Sequence, residues 1–251
     1  MNETVSTMLN HRSVRSFSDK PVDEQTVKDI IEAGRHGATS TGQQAFSIIQ
    51  VKDRTIRSAI ADITGQPYSA QAPLWFLIVL DLHRNAAIVS EQGARFTGEK
   101  DFYTFIQSCM DGAIAAQNMA LAAESMGLGI CYFGSIFMNI RKIAELVHLP
   151  PLTFPLTGLG MGYPKGKFMK KPRLPENVQV FTDRYQTFPC YVDMLQDYDM
   201  VMHQYIDSRH PEGPVPPFTA QVLHRNTGTA VQGREALALL KEQGFSWTEN
   251  K

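Results

Sequence analysis

This sequence has no excess of positive or negative charge. Its 251 residues contain 24 Lys and Arg against 25 Asp and Glu, which gives a formal net charge of −1. A near-neutral chain has no global attraction to nucleic acid or to an anionic membrane, so any anion-binding site must be local. We therefore expect neither a nucleic-acid partner nor a membrane partner.

Long apolar runs and paired cysteines are also missing. The longest apolar run, PLWFLIVL at 73–80, is far shorter than the roughly 20 residues that span a bilayer. The N-terminal sequence MNETVSTMLNHRSVRS lacks the basic-then-apolar order of a secretion signal. Cys109, Cys131 and Cys190 form no CxxC pair, and no Cys or His pair has the spacing of zinc ligands. We expect reduced thiols, a cytoplasmic location and no bound metal.

Helix and strand patterns alternate along most of the chain. Helical spacing, capping residues and small-residue runs predict helices over 3–10, 24–36, 54–63, 105–126, 139–147, 193–207 and 233–243. β-Branched or continuously apolar segments predict strands over 46–51, 74–80, 129–134 and 155–161. The alternation is compatible with both the α/β and the α+β class, with helices covering a mixed sheet.

Two separated segments concentrate cationic side chains. HRSVR at 11–15 places two guanidiniums, an imidazole and a hydroxyl within five residues, and Arg forks match phosphate oxygens bidentately. KGKFMKKPRLP at 165–175 contains Lys171 and Arg173, where the alternating prolines stiffen the backbone. Each segment, taken alone, is also compatible with a solvated basic loop.

Other polar segments are less specific. CYFGS at 131–135 contains Gly134, which could let a planar ring approach the backbone, although a strand-end turn explains the same residues. Polar loop residues at 39–44 and Gln66 offer further donors and acceptors. The glycines of GLGMG at 158–162 are not a dinucleotide fingerprint, because Tyr163 and Pro164 follow where a helix would have to begin.

Four motifs together indicate a family. HRSVRSF at 11–17, QAFSII at 44–49, AAQNMALAAESMGLGICYFGS at 115–135 and KKPRLP at 170–175 stand in a characteristic order and spacing. The chain resembles the FMN-dependent nitroreductase-like oxidoreductases, specifically the larger NADPH-preferring branch of nitroreductases and flavin reductases. The resemblance spans residues 1 to about 190 and is looser beyond them.

The resemblance implies an α+β fold with a mostly antiparallel central sheet flanked by helices. It also implies an interlocked homodimer with two FMN molecules at the interface. Residues 1–190 would form the FMN-binding domain. Residues 191–251 would form a C-terminal extension of the same domain that embraces the partner subunit.

The resemblance also assigns binding roles to individual residues. The residues that match positions holding the FMN phosphate are His11, Arg12, Ser13, Lys171 and Arg173. Arg15 matches a residue at the N1 and O2 edge of the flavin ring, and Gln66 one at the pyrimidine edge. The segment beside the ring matches Tyr132, Phe133, Gly134 and Ser135, with Ser135 standing where many relatives have a second Gly. The residues expected from the other subunit are Thr39, Ser40, Thr41 and Gln44.

The activity implied is ping-pong transfer of two electrons from NADPH or NADH to small flat acceptors such as nitroaromatics, quinones, azo dyes or free flavin. The bound FMN carries this chemistry, so no side chain is assigned as catalytic. Relatives pair the 2′-phosphate of NADPH with an Arg-rich mobile loop, whereas the corresponding segment here, SRHPEGPVPP at 208–217, is proline-rich. With Arg209 and Arg225 as the candidate contacts, we expect a weak NADPH preference.

A non-catalytic flavin-binding protein is the alternative to this oxidoreductase function.

Overall fold

A four-stranded antiparallel sheet organises the larger part of the protein. The computed structural model describes residues 1–228 and 231–247. The strands are β1 (Phe46–Gln50), β2 (Leu74–Asp81), β3 (Gly129–Phe133) and β4 (Thr153–Gly162), in the spatial order β1-β2-β4-β3. Every neighbouring pair is antiparallel, so β1 and β3 are the edge strands. The fold is therefore α+β, as the resemblance implies.

Helices lie before, between and after the strands. They are α1 (Glu3–Leu9), α2 (Glu24–Arg35), α3 (Arg54–Thr64), α4 (Tyr68–Gln71), α5 (His83–Glu91), α6 (Phe102–Ser125), α7 (Ile140–Leu146), α8 (Tyr191–Met194), α9 (Gln196–Met202), α10 (Phe218–Asn226) and α11 (Val231–Glu242). The chain forms two compact units, Met1–Gly166 with Val231–Lys251, and Lys167–Ala230. The boundaries predicted for the domains, 1–190 and 191–251, stay a prediction.

The core of the first unit lies between the sheet and the long helix α6. Its helix side is built from small residues, Ala116, Ala120 and Ala123, together with Met119, all at most 1% exposed. Small side chains let the helix backbone approach β2 and β4 closely. The helix begins at Phe102, three residues earlier than predicted, because the Asp101 side chain accepts hydrogen bonds from the backbone N–H groups of the first turn.

The glycines of β4 have a packing role. A Cβ on Gly158 would lie 2.6 Å from Cζ2 of Trp75, and one on Gly160 would lie 2.7 Å from Cε2 of Phe133. Aromatic rings therefore occupy the space that side chains on these residues would need. The prediction that this glycine run is no dinucleotide loop is confirmed, since it lies within a strand.

The C-terminal helix α11 belongs to the first unit. Its Leu239 and Leu240 pack with Ile140 and Ala144 of α7, and Arg141 pairs with Glu242. The predicted helix over 233–243 is thereby confirmed, with an earlier start.

The second unit has a small core of its own. Leu195, Tyr198, Met202 and Tyr205 form a buried cluster. The single helix predicted over 193–207 was wrong in detail. The structure has the short helices α8 and α9 there, and residues 203–207 are not helical. The chain turns after α9 and buries Tyr205 in the cluster, and a continued helix would follow a different path.

Within the residues that the structure describes, no helix is both long and apolar enough to cross a membrane. The same residues contain no group of three or more His, Cys, Asp or Glu that could hold a metal ion.

We predict that Gly129→Ala destabilises the protein. The added Cβ would lie 2.4 Å from Cγ2 and 2.6 Å from Cβ of Val14, and a β-carbon cannot rotate away. Overpacking of this kind costs about 1–3 kcal/mol, measurable by denaturant unfolding. Gly134→Ala is the matched control, because its methyl group would meet nothing within 4 Å. Equal unfolding free energies for the two variants would contradict this packing.

Candidate flavin site

Edge strand β3 holds the cationic segment at 11–15 in place. Ser13 forms a parallel bridge with Ile130, and the backbone N–H of Val14 donates to the Ile130 carbonyl at 2.8 Å. Val14 is 4% exposed and packs against Gly129. The N-terminal cations therefore lie beside the strand that leads into Tyr132 and Gly134, as two of the predicted site segments require.

Helix α6 anchors His11. Nδ1 of His11 lies 2.8 Å from Oε1 of Glu124, and because a carboxylate only accepts, Nδ1 carries the hydrogen. The Glu124 side chain is 12% exposed. This bond orients the imidazole and leaves Nε2 for a ligand. Sequence reasoning did not single out Glu124.

Arg12 is the exposed cation of this segment. Nothing among residues 1–228 and 231–247 forms a hydrogen bond or an ion pair with its side chain. Arg15 is half-buried and engaged by the protein. A guanidinium with no protein anion beside a half-buried Ser13 can bind an oxyanion without first breaking an ion pair.

Gln66 and Ser135 meet although 69 positions separate them. The Ser135 hydroxyl donates to Oε1 of Gln66 at 2.9 Å. Gly65 makes this possible, since it ends α3 in a left-handed conformation (φ 63°) and turns the chain toward Ser135. The bond leaves the Gln66 amide nitrogen as a donor for a ligand, so the structure joins two residues that the resemblance assigns to the flavin ring.

The end of β3 is shaped for a flat ligand. Phe133 is fully buried against Tyr68 and Trp75, with ring centroids 5.7 and 6.1 Å away, whereas Gly134 is exposed. Because a Cβ on Gly134 would meet nothing within 4 Å, open space lies over this turn. Tyr132 lies beside it and donates to Oε1 of Gln117 at 3.3 Å. Loss of hydration, with a smaller effect of the Glu124 charge, raises the pKa of Tyr132 to about 12, so its phenol is neutral at physiological pH.

The loop at 39–44 is held by a buried carboxylate. Asp111 of α6 is 1% exposed and accepts the backbone N–H of Ser40 at 2.7 Å and that of Ala45 at 3.4 Å. Thr41 and Gln44 have positive φ values of 50° and 49°, which this anchoring maintains. Arg84 donates to the Gln44 carbonyl from the other side.

One helix thus separates two groups of predicted site residues. Asp111 and Glu124 are the charged residues of α6, and they are 13 positions apart. At 1.5 Å per residue this places the two anchors about 20 Å apart along the helix. Within one chain the loop at 39–44 and the segment at 11–15 therefore lie at different positions along α6. Lone carboxylates in an Ala-rich helix were the sequence signal that could have identified both anchors.

The second unit gathers cations from segments that are distant in sequence. Loss of hydration and the charge of Arg225 lower the pKa of Lys171, with smaller contributions in the same direction from Arg209 and Arg173. The charge of Asp207 acts in the opposite direction. Arg173 also donates to the Lys171 carbonyl at 2.8 Å. The structure thus brings Arg225, which sequence alone did not place, within electrostatic reach of Lys171.

These residues fit FMN by their chemistry. A phosphate requires cations and hydroxyls, which the segment at 11–15 supplies, and a flat ring requires an open surface such as that over Gly134. The amide of Gln66 provides a donor for a ring edge.

Comparisons with known proteins agree with this reading. Residues 8–163 match the nitroreductase family, and residues 171–248 match the C-terminal domain of the nitroreductase family. A Bacillus subtilis protein named FMN reductase (NADPH) is 36% identical over 208 residues, 79% of this chain and 84% of that protein.

Two solved structures share the fold. B. megaterium NfrA2 has a TM-score of 0.91 at 28% identity, covering 99% of this chain and 100% of its own. The NADPH:FMN oxidoreductase from Vibrio harveyi complexed with NAD+ has a TM-score of 0.86 at 30% identity, covering 97% and 98%.

The sheet, its helices and these matches define an α+β protein of the nitroreductase fold. The chain belongs to the nitroreductase family.

We predict that Gly134→Ala lowers the affinity for FMN while leaving folding stability unchanged or slightly higher. The methyl group would project into the open space over the turn, where the ring is expected, and would meet no protein atom there. Flavin titration of the apoprotein measures the effect, with Gly213→Ala as a control that also meets no atom within 4 Å. Wild-type affinity in Gly134→Ala would place the ring elsewhere.

Proposed function

We propose that this protein is an FMN-dependent oxidoreductase that uses NADPH or NADH to reduce small flat acceptors. The observation that carries the proposal is the position of Arg12 and Ser13 beside the edge strand that leads into the open Gly134 turn. The names of the B. subtilis and V. harveyi relatives, which include FMN reduction, support it. FMN, once bound, would supply the two-electron redox chemistry that links the nicotinamide donor to the acceptor.

The side chains of this protein bind and orient. We propose that His11, Arg12 and Ser13 bind the FMN phosphate, that Arg15 and Gln66 bind the ring edges, and that the turn at 132–135 lies beside the ring. Lys171 and Arg173 are proposed as further phosphate ligands, and Arg209 and Arg225 as contacts of the nicotinamide donor. Nitroaromatics, quinones, azo dyes and free flavin are the proposed acceptors, because an open flat slot selects for shape rather than for a particular functional group.

We also propose a homodimer in which Thr39, Ser40, Thr41 and Gln44 contribute to the flavin site of the partner. Support comes from the separation of about 20 Å between Asp111 and Glu124 along α6. The exposed side of the same helix carries Tyr103, Ile106 and Met110, which are 39–67% exposed. Large apolar side chains at helical spacing on a surface are typical of an interface. None of the three cysteines is in a disulfide, which supports a location in the cytoplasm.

Anaerobic addition of NADPH or NADH to the FMN-loaded protein tests the activity. An oxidoreductase loses the visible flavin absorbance within its turnover time and regains it when quinone is added. A non-catalytic flavin-binding protein would keep its absorbance, and that outcome would contradict the proposal.

We predict that Arg12→Ala yields largely flavin-free protein. Loss of one charge-assisted bond to a phosphate weakens binding by about tenfold to hundredfold. Lys171→Ala combined with Arg173→Ala is expected to act in the same way. Flavin content after dialysis is the measurement, and Arg54→Ala, which removes an exposed guanidinium from the start of α3, is the control. Full FMN retention in Arg12→Ala would refute its role.

We predict that Met110→Glu converts the dimer to a monomer and lowers flavin content. A carboxylate buried at an apolar interface without a partner is strongly unfavourable. Light scattering gives the mass, and Ile88→Glu, at a residue of α5 that is 48% exposed, is the matched control. A wild-type protein that is monomeric with tightly bound FMN would rule out the shared site.

A further inference from the structure

The guanidinium of Arg209 is already engaged by a carboxylate of its own unit. Nε of Arg209 donates to Oδ1 of Asp207 at 3.0 Å, and Nη2 donates to Oδ2 at 2.9 Å. The backbone N–H of Arg209 also donates to Oδ1, at 2.9 Å. This is the bidentate arrangement in which Arg binds carboxylates and phosphates most strongly, so Asp207 occupies one edge of the guanidinium that an incoming phosphate could use.

The position of Asp207 is fixed by its surroundings. The residue is 5% exposed, and its carbonyl accepts the backbone N–H of His210 at 2.9 Å. The loop is closed by the backbone N–H of Val215, which donates to the carbonyl of buried Tyr205 at 3.0 Å. The carboxylate therefore cannot move away from Arg209 without rearranging a loop that is tied at both ends.

The pair belongs to a group of charges that is mainly cationic. Arg225, Arg209 and Arg173 all act on Lys171, and Asp207 is the carboxylate that opposes them there. A cation cluster with one internal carboxylate attracts anions, but it does so less strongly than the same cluster without the carboxylate.

We propose that Asp207 is a specificity-determining residue that limits discrimination between NADPH and NADH. It does so by occupying the Nε and Nη2 edge of Arg209 and by placing a negative charge beside the 2′-phosphate. The inference rests on the proposed function, in which Arg209 contacts the donor. NADPH and NADH differ only in this phosphate. Because Asp207 offsets the charge of Arg209, Arg209 favours NADPH only weakly.

The central variant is Asp207→Asn, which keeps the size of the side chain and one acceptor for the Arg209 N–H groups. Removing the negative charge leaves the Arg209 cation available to the phosphate. We expect the ratio of kcat/KM for NADPH to that for NADH, at physiological salt, to rise about three- to tenfold. The value for NADH should stay within about twofold, because NADH lacks the phosphate on which the effect depends.

Two further variants separate this mechanism from its alternatives. Glu212→Gln makes the same charge change in the same loop, where Glu212 lies 3.5 Å from His210 and forms no bond with Arg209, so the donor ratio should stay unchanged. The double variant Asp207→Asn with Arg209→Gln removes both charges of the pair and so changes the net charge little. Its ratio of kcat/KM for NADPH to that for NADH should lie within about twofold of wild type. If Asp207→Asn fails to fold, the double variant is compared with Arg209→Gln alone, in which the unpaired charge of Asp207 should lower the ratio at least about threefold. Equal ratios in these two variants would overturn the proposal.

The opposite results overturn the proposal. A ratio that stays constant or falls in Asp207→Asn would mean that Asp207 orients Arg209 for the phosphate instead of neutralising it. An equal rise in Glu212→Gln would mean a general charge effect, and a tenfold loss in the double variant would mean that Arg209 contributes despite its partner.

The proposed function can fail separately from this inference. A wild-type protein that oxidises neither donor would contradict the proposed function. The affinity ratio of NADP+ over NAD+ in the same variants, measured by calorimetry, would still test Asp207. A rise in that ratio in Asp207→Asn would support the inference, and a constant ratio would overturn it.

Discussion

Two carboxylates on one helix anchor two of the candidate site segments of the first unit. Asp111 holds the backbone of the loop at 39–44, and Glu124 holds the imidazole of His11. Both depend on the packing of α6 against the sheet, which brings the helix close enough for its side chains to reach the loops at each end. Because the rest of the helix is uncharged, these two anchors are its charged attachments to the site segments. A buried carboxylate that accepts backbone N–H groups is costly to displace, so the loop conformation follows the helix position.

This arrangement has a consequence for assembly. A rigid helix keeps its two anchors at a constant separation of about 20 Å along its axis. The exposed apolar side chains of α6 lie on the helix that carries both anchors. In the proposed homodimer the second copy would supply the loop at 39–44 to the flavin site, and flavin binding would then stabilise the dimer by mass action.

In the second unit, a carboxylate partly offsets the repulsion among neighbouring cationic side chains. Cations from segments as distant as Lys171 and Arg225 lie within electrostatic reach of one another, and such a cluster repels itself unless anions are near. Asp207 provides part of that compensation from inside the protein.

Prediction from sequence succeeded where periodicity or composition was strong. The strands at 74–80 and 155–161 and the helices at 24–36 and 54–63 were found to within a few residues, because each has a continuous apolar run or a clear helical spacing. Helix α5 was missed, since it has no side-chain cap and buries no residue. The helix expected over 193–207 ends at Met202, where burial of Tyr205 overrides local propensity.

The sequence by itself determined the family, the residue types of the candidate site and the order of the main elements. These properties depend on motifs and local patterns, and both can be read along the chain. Only the tertiary structure decided that Gln66 meets Ser135, that Glu124 and Asp111 anchor the site segments, and that Asp207 engages Arg209. The first three contacts join residues far apart in the chain, and the last depends on a loop closed between Tyr205 and Val215. Such contacts follow from how the chain packs, and no local pattern records them.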